Sequence, residues 1–529
     1  MLALPRRHRS VSFVHHVGSA LGGVGSALGG VGSALGGVGS AFPSVGSGAR
    51  SFGPAFVLGV AGLITTIGPS LATPAAGQRP EVLSEEVSEL VAVDAEIVAL
   101  ANVRIVDGRG GAPLTDQTIV IRGNRIAALG PSAEVEVPDG AEVLDLEGHT
   151  VIPGIVGLHN HTHYQGAQRR LFLEMSAPRM YLGSGVTTIR TTGSFSPYGE
   201  ITLKAAIERG EAVGPRMHIT GPYITGPGGA GYMSQPADPE AARRVVRYWA
   251  EEGATWFKGY AGIQRAELAA AIDEAHRLGL KVTGHLGVVT YTEAAEMGID
   301  SLEHGLYASS DFDPAKEPDE RARGGSRLLA ELDMQGPEVE ELIRTLVGNG
   351  VAVTSTLAVL EQLTSGRPVE PRTLEWMAPE VREAFERRHE GLQESAGRSP
   401  MGVLLPKLMA FERRFVEMGG LLAAGVDPTG NGGAIPGFGD QRNFELLIEA
   451  GFTPAQAIQI MSHNGARVLE VDEELGSVEV GKLADLVVIE GDLVEDPATI
   501  RQVRIVFKDG VGFDSAAVLE SVRGMVGER

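Results

Sequence analysis

From Ile97 to Thr150 aliphatic and β-branched residues alternate with polar ones in short runs: I-V-A-L-A-N-V-R-I-V-D, T-I-V-I-R-G-N-R-I-A-A-L and A-E-V-L-D-L-E-G-H-T-V-I. Side chains two apart in an extended chain share a face, so this alternation, cut by Gly-Asn and Asp-Gly turns, predicts antiparallel strands. The same texture returns from Gly476, in G-S-V-E-V-G-K-L-A-D-L-V-V-I-E-G-D and V-R-I-V-F-K-D-G. Two strand-rich flanks around a different centre predict one small β-sandwich built from residues 97–150 and 471–529. Its expected role is support rather than chemistry.

Between Val151 and about Glu470 short apolar runs alternate with amphipathic segments, the pattern of βα units around a parallel sheet. The opening run V-I-P-G-I-V-G-L is followed by runs beginning at Gly185, Arg216, Thr255, Lys281, Ser301, Val351 and Leu421. Eight such units over residues 151–470 predict an α/β fold, a (β/α)8 TIM barrel, whose chemistry sits at the C-terminal ends of its strands. Two charged insertions, Asp311 to Glu331 and Glu361 to Pro406, are expected to lie over the mouth and shape specificity.

The first 78 residues have another character. Gly18 to Val38 repeats G-S-A-L-G-G-V three times, and a segment so rich in glycine cannot offset the entropy of ordering it. Arg50 is followed by the apolar Phe56 to Leu71 and then by small residues to Ala76, the order of a secretory signal peptide. The expectation is a low-complexity segment preceding a true start near Arg50, a signal peptide over about residues 50–76, and a linker at 79–96. Export to a periplasm or the exterior follows, with a membrane anchor as the alternative.

Composition narrows the chemistry. The 67 acidic against 45 basic residues give a charge of -22, which repels phosphate backbones and argues against a nucleic-acid partner. Cysteine is absent, which removes disulfides, thiolate ligands and thiol nucleophiles together. Catalysis is left to histidine, lysine, carboxylates, hydroxyls or a metal.

The opening run ends in H-N-H-T-H-Y, and His159 and His161, two apart on a strand, project together as a metal-binding pair would. Lys258 ends T-W-F-K, His285 ends K-V-T-G-H, His304 ends S-L-E-H and Asp427 ends L-L-A-A-G-V-D. Each stands where barrel enzymes carry their chemistry. Pro153-Gly154 with His159-x-His161 resembles the first-strand motif of the amidohydrolase superfamily, and the resemblance extends through G-A-T-W-F-K-G-Y, H-R-L-G-L-K-V-T-G-H, G-I-D-S-L-E-H-G and A-A-G-V-D-P over about residues 97 to 512. Within that superfamily the chain is most similar to Xaa-Pro dipeptidase (prolidase)-like and imidazolonepropionase-like members.

The resemblance implies two divalent metal ions, with zinc favoured and manganese, cobalt or iron as alternatives. His159, His161 and Asp427 would hold one ion and His285 and His304 the other, bridged by Lys258 carboxylated with carbon dioxide. A water shared by the ions would act as hydroxide on an amide carbonyl, with Asp427 as the proton carrier. One departure is visible: many members carry an acidic residue two before the first histidine, where this chain has Gly157. That is expected to weaken orientation of the imidazole more than ligation.

Further candidates for substrate contact are Tyr260, two after Lys258; Arg190, which could receive a substrate carboxylate or pair with an acid; His163; and Tyr232, in a loop where dipeptidase relatives often place histidine. His218 lies inside the third run, and His463 is expected to cap or pack. The expected function is hydrolysis of a dipeptide, Xaa-Pro among them, or an N-acyl amino acid. The alternatives are a cyclic amide, a toxin-like N-acyl aromatic amino acid, or an inactive barrel retained for binding. The partner is then a small molecule, with assembly into a homo-oligomer left open.

Overall fold

Eight short parallel strands carry the central region: Ile155–Asn160, Val186–Thr191, Arg216–His218, Trp256–Gly259, Lys281–Gly284, Ser301–Glu303, Ala352–Ser355 and Leu422–Ala424. They belong to a computed structural model that describes residues 79–80, 82–166, 169–430 and 433–528. The glycine repeat and the leader-like stretch before residue 79 lie outside the described residues.

The first three strands form one parallel sheet and the last five another, each in chain order. Parallel bridges Thr220–Trp256 and Ile224–Gly259 join the extension of the third strand to the fourth. Past the eighth strand the amide of Asp427 donates to the carbonyl of His159 at 2.7 Å. Hydrogen bonds therefore lead from each strand to the next and from the last back to the first. Gly425 permits that final approach, because a Cβ there would lie 2.2 Å from the backbone nitrogen of His159.

The connecting helices follow from local sequence. Asp238 caps Pro239–Glu251 by accepting from the amide of Ala241, with proline in the first turn where its missing N–H costs nothing. Thr290 and Glu293 form a reciprocal capping box at Tyr291–Glu296. Arg265–Arg277 buries Leu268, Ala271, Ile272 and Ala275, the three-and-four spacing of a helix lying on a sheet.

Strands from both flanks interleave in a nine-stranded sheet. Leu486–Glu490 pairs antiparallel with His149–Pro153, so that Val488 lies opposite Val151. Val98, Leu100, Ile119, Ile121, Leu486, Val488 and Phe507 share one apolar cluster there. Arg216, at the start of the third parallel strand, reaches from the central region to this sheet: its guanidinium meets Asp485 at 2.6 Å and also Asp509, both carboxylates being buried.

Both insertions sit by loops that follow strand C-termini. Pro379–Glu394 shares a groove with Gln165 and Gly166 of the hairpin after the first strand. Arg321 lies close to Gly262, after the fourth. No helix among the described residues is long and apolar enough to cross a membrane.

Candidate metal centre

His159 and His161 leave the first strand 1% exposed, with ring centroids 5.3 Å apart. Asp427 comes up between them, Oδ1 lying 3.3 Å from His161 Nε2 and 3.6 Å from His159 Nε2. Its other oxygen stands 3.9 Å from His304 Nε2. The ring of His304 lies 4.7 Å from that of His285, and Lys258 Nζ is 3.2 Å from His159 Nε2. Six side chains expected from five strand ends thus converge on one place. Ligand atoms of His159, His304 and Asp427 fall within 4.8 Å of one another, a grouping able to hold a metal ion. That grouping takes one histidine from each of the two sets expected from the sequence.

Backbone conformation helps to aim these groups. His304 and Asp427 both adopt left-handed φ, 68° and 51°. Such values are uncommon for residues with a Cβ and persist only where surrounding structure holds them. Thr356 fixes the His304 ring through Nδ1 at 2.8 Å. Beneath His159, the fully buried Glu303 accepts from Nδ1 at 2.7 Å, leaving Nε2 for the site. Glu303 in turn is held by Arg190 and by the Thr283 hydroxyl. The orientation that Gly157 cannot supply therefore comes from the sixth strand, and Asn160 occupies the space over Gly157, its amide 2.4 Å from where a Cβ would be.

Burial keeps the imidazoles neutral, with their lone pairs free. It lowers His161 to about 4 and His285 to about 3, and lowers His159 and His304 as well. Burial opposes the charge on Asp427, but the surrounding histidines outweigh it and hold the carboxyl well below its usual range. Lys258, 1% exposed, is lowered to about 8 by the same desolvation. Its amine donates to the Thr192 carbonyl at 3.0 Å, and among the described residues no carboxylate pairs with it. His304 Nε2 and His161 Nδ1 are buried without a hydrogen-bond partner. An orphaned His304 Nε2 3.9 Å from a carboxylate, with no thiolate present, fits a divalent metal ion.

The remaining candidates separate. Arg190 does not face substrate: it is wholly buried, donates to the Leu158 carbonyl at 2.8 Å, pairs with Glu303 and stacks 4.5 Å over Trp256. Of its two expected roles the geometry selects pairing with an acid. Tyr260 lies 5.0 Å from the ring of His285, with Lys258 Nζ 5.7 Å from its own. His163 is buried next to His161, at 4.6 Å between rings, with both nitrogens unpartnered. Tyr232 accepts a hydrogen bond from Arg170 and lies 5.4 Å from Phe195. His218 is half-buried and lowered to about 3, chiefly by desolvation, and His463 is 8% exposed at the start of His463–Leu469. Sequence reasoning passed over Glu303, Thr356, Tyr223, Phe195 and Arg170. Only Glu303, the E of S-L-E-H, stood inside a quoted motif.

Comparison with known proteins agrees with this geometry. A structure of a candidate prolidase from Bifidobacterium longum is 27% identical with a TM-score of 0.61, covering 81% of this chain and 99% of that one. The imidazolonepropionase of Rubrobacter xylanophilus is 24% identical over 395 residues, 70% of this chain and 84% of the relative. The dihydroorotase of Mycobacterium tuberculosis is 27% identical over 138 residues, 26% of this chain and 31% of that protein's length. The amidohydrolase family profile matches residues 150–512, and the chain belongs to the amidohydrolase family.

Proposed function

We propose that the chain is a metal-dependent hydrolase of a carbon–nitrogen bond, acting on a small dipeptide, Xaa-Pro among them, or an N-acyl amino acid. The observation that carries this is Lys258: a buried amine with a carbonyl and an imidazole nitrogen for partners, set among four histidines and Asp427. An unpaired ammonium in such a place is costly, whereas a carbamate on the same nitrogen offers two anionic oxygens to cations on either side. In this reading His159, His161 and Asp427 hold one ion, His285 and His304 the other, and carboxylated Lys258 joins them, with zinc as the proposed metal. The scaffold is a (β/α)8 barrel supported by a β-sandwich, and the leader-like residues 50–76 support export.

When bound, the ions supply an activated water and polarise the scissile carbonyl. The protein does the rest. Glu303 fixes the tautomer of His159, and Thr356 the ring of His304. Asp427 keeps 14% exposure where His159 and His161 keep 1%, so it can meet the attacking water, take its proton and return that proton to the departing amine nitrogen. Tyr223 and Tyr260 wall one side and keep bulk water away.

The test is metal content and hydrolysis of glycyl-L-proline and N-acetyl amino acids by one preparation, with bicarbonate, beside Lys258→Ala. About two metals per chain and activity, both falling in the variant at unchanged melting temperature, are expected. A metal-free, inactive parent despite added zinc would favour a barrel retained only for binding.

A further inference from the structure

Resting on that reading, we infer that Arg170, backed by Tyr232, receives a carboxylate of the substrate and so selects anionic amides with an apolar or aromatic body. Arg170 opens the strand Arg170–Phe172, which pairs with His163–Gln165 directly after the metal-site histidines. The chain carries 67 acidic residues, and other arginines such as Arg190, Arg367 and Arg442 are paired with them. Arg170 is partly buried, and none of the described carboxylates pairs with it. Among the described residues its one side-chain hydrogen bond runs to the Tyr232 hydroxyl. A guanidinium has five N–H donors in a planar fork that matches a carboxylate, so most of this one is uncommitted. Because Tyr232 accepts from Arg170, its own proton is free for a second anionic oxygen.

The surroundings connect this cation to the centre. Its guanidinium carbon stands 4.8 Å over the ring of Tyr232 and 6.0 Å from that of Phe195. Tyr232 lies 6.0 Å from Tyr223, whose ring is 5.3 Å from Lys258 Nζ, and Phe195 lies 5.8 Å from His163. One run of aromatic rings, packed edge to face, therefore leads from Arg170 to the reacting end. An apolar group leaning on it would place a carboxylate at the guanidinium and a carbonyl towards Lys258. Stacking on Tyr232 and Phe195 also holds the fork in place before substrate arrives, which lowers the cost of binding.

The experiment uses the zinc-loaded full chain and two matched pairs: N-acetyl-L-phenylalanine and glycyl-L-proline, each against its carboxamide. Binding of L-phenylalanine and L-phenylalaninamide is measured separately by calorimetry. The parent should prefer each carboxylate by on the order of 100-fold in kcat/KM. Arg170→Gln should lose that preference through KM, Arg170→Lys should restore part of it, and metal content should not move. Arg321→Gln, in the insertion near Gly262, should keep it. A preference that survives Arg170→Gln, or is lost in Arg321→Gln instead, overturns the inference, as does a parent that treats acids and amides alike. A chain that hydrolyses nothing refutes the proposed function, and calorimetry then decides alone: carboxylate-dependent binding lost in Arg170→Gln supports Arg170, and no such binding overturns it.

Discussion

Two buried ionic clusters in this molecule are built from similar groups and end differently. In one, Arg216 bridges Asp485 and Asp509, Asp485 also accepts from the Asp509 amide at 2.8 Å, and Lys508 meets Asp509 at 2.6 Å. None of these side chains has a buried atom without a partner. In the other, Arg190, Glu303 and His159 form a more deeply buried chain, but it leads up to His161, His163 and His304, whose nitrogens are left open. A cluster that satisfies itself holds two parts of a protein together. One that leaves lone pairs unspent is shaped for something it does not itself contain.

Breaking the first cluster should cost stability and spare chemistry. Arg216→Met leaves two carboxylates buried with Lys508 as their only cation, and about 3–5 kcal/mol of folding stability should be lost in chemical denaturation. The kcat of the remaining folded fraction should be that of the parent. Glu303→Gln probes the second cluster. Arg190 and Thr283 both donate to Oε1, so glutamine's single carbonyl oxygen is drawn to them and its NH2 is turned to His159 Nδ1. With that tautomer no longer held, metal affinity and turnover should both fall by about 10–100-fold, as dialysis against chelator and steady-state rates would show. An unchanged metal affinity would mean that Glu303 serves only Arg190.

The smallest effect sharpens the contrast through pH. Burial opposes the charge on Asp509, but Lys508 and Arg216 outweigh it and lower its pKa from 3.8 to about 2. A carboxyl lowered in the folded state contributes stability above its unfolded pKa and loses it as pH falls through the folded one. About 2 kcal/mol should therefore disappear between roughly pH 4 and pH 2. Asp509→Asn should lower the neutral plateau and flatten this acid limb, while the pH dependence of turnover near neutrality stays as in the parent.

Much of the convergence was legible because it needs only period and position. Apolar runs mark the eight parallel strands, and residues at their ends meet because such ends share one face of a sheet. Glu303 and His304 show where that logic stops. Neighbours on a strand point to opposite sides, so Glu303 under the site and His304 in it are incompatible on extended backbone. The left-handed turn at His304 resolves this, and nothing in S-L-E-H announces it. Arg190 was ambiguous for a different reason: its partner lies 113 residues away, and only the fold says whether an arginine at a strand end meets an acid or open space. Arg170, Phe195 and Tyr223 sit in loops and a short hairpin, where no periodicity constrains direction.

The bond from the Asp427 amide to the His159 carbonyl, with Gly425 pressed against the same backbone, joins the start of the central region to its end. During synthesis His159 and His161 leave the ribosome long before Asp427 does. A nascent or truncated chain lacking Asp427 holds imidazoles without their carboxylate and cannot assemble the group that spans His159, His304 and Asp427. On the proposed reading metal uptake is therefore a late event, coupled to closure of the last strand on the first, and a loaded centre would report that the chain was made and folded to that point.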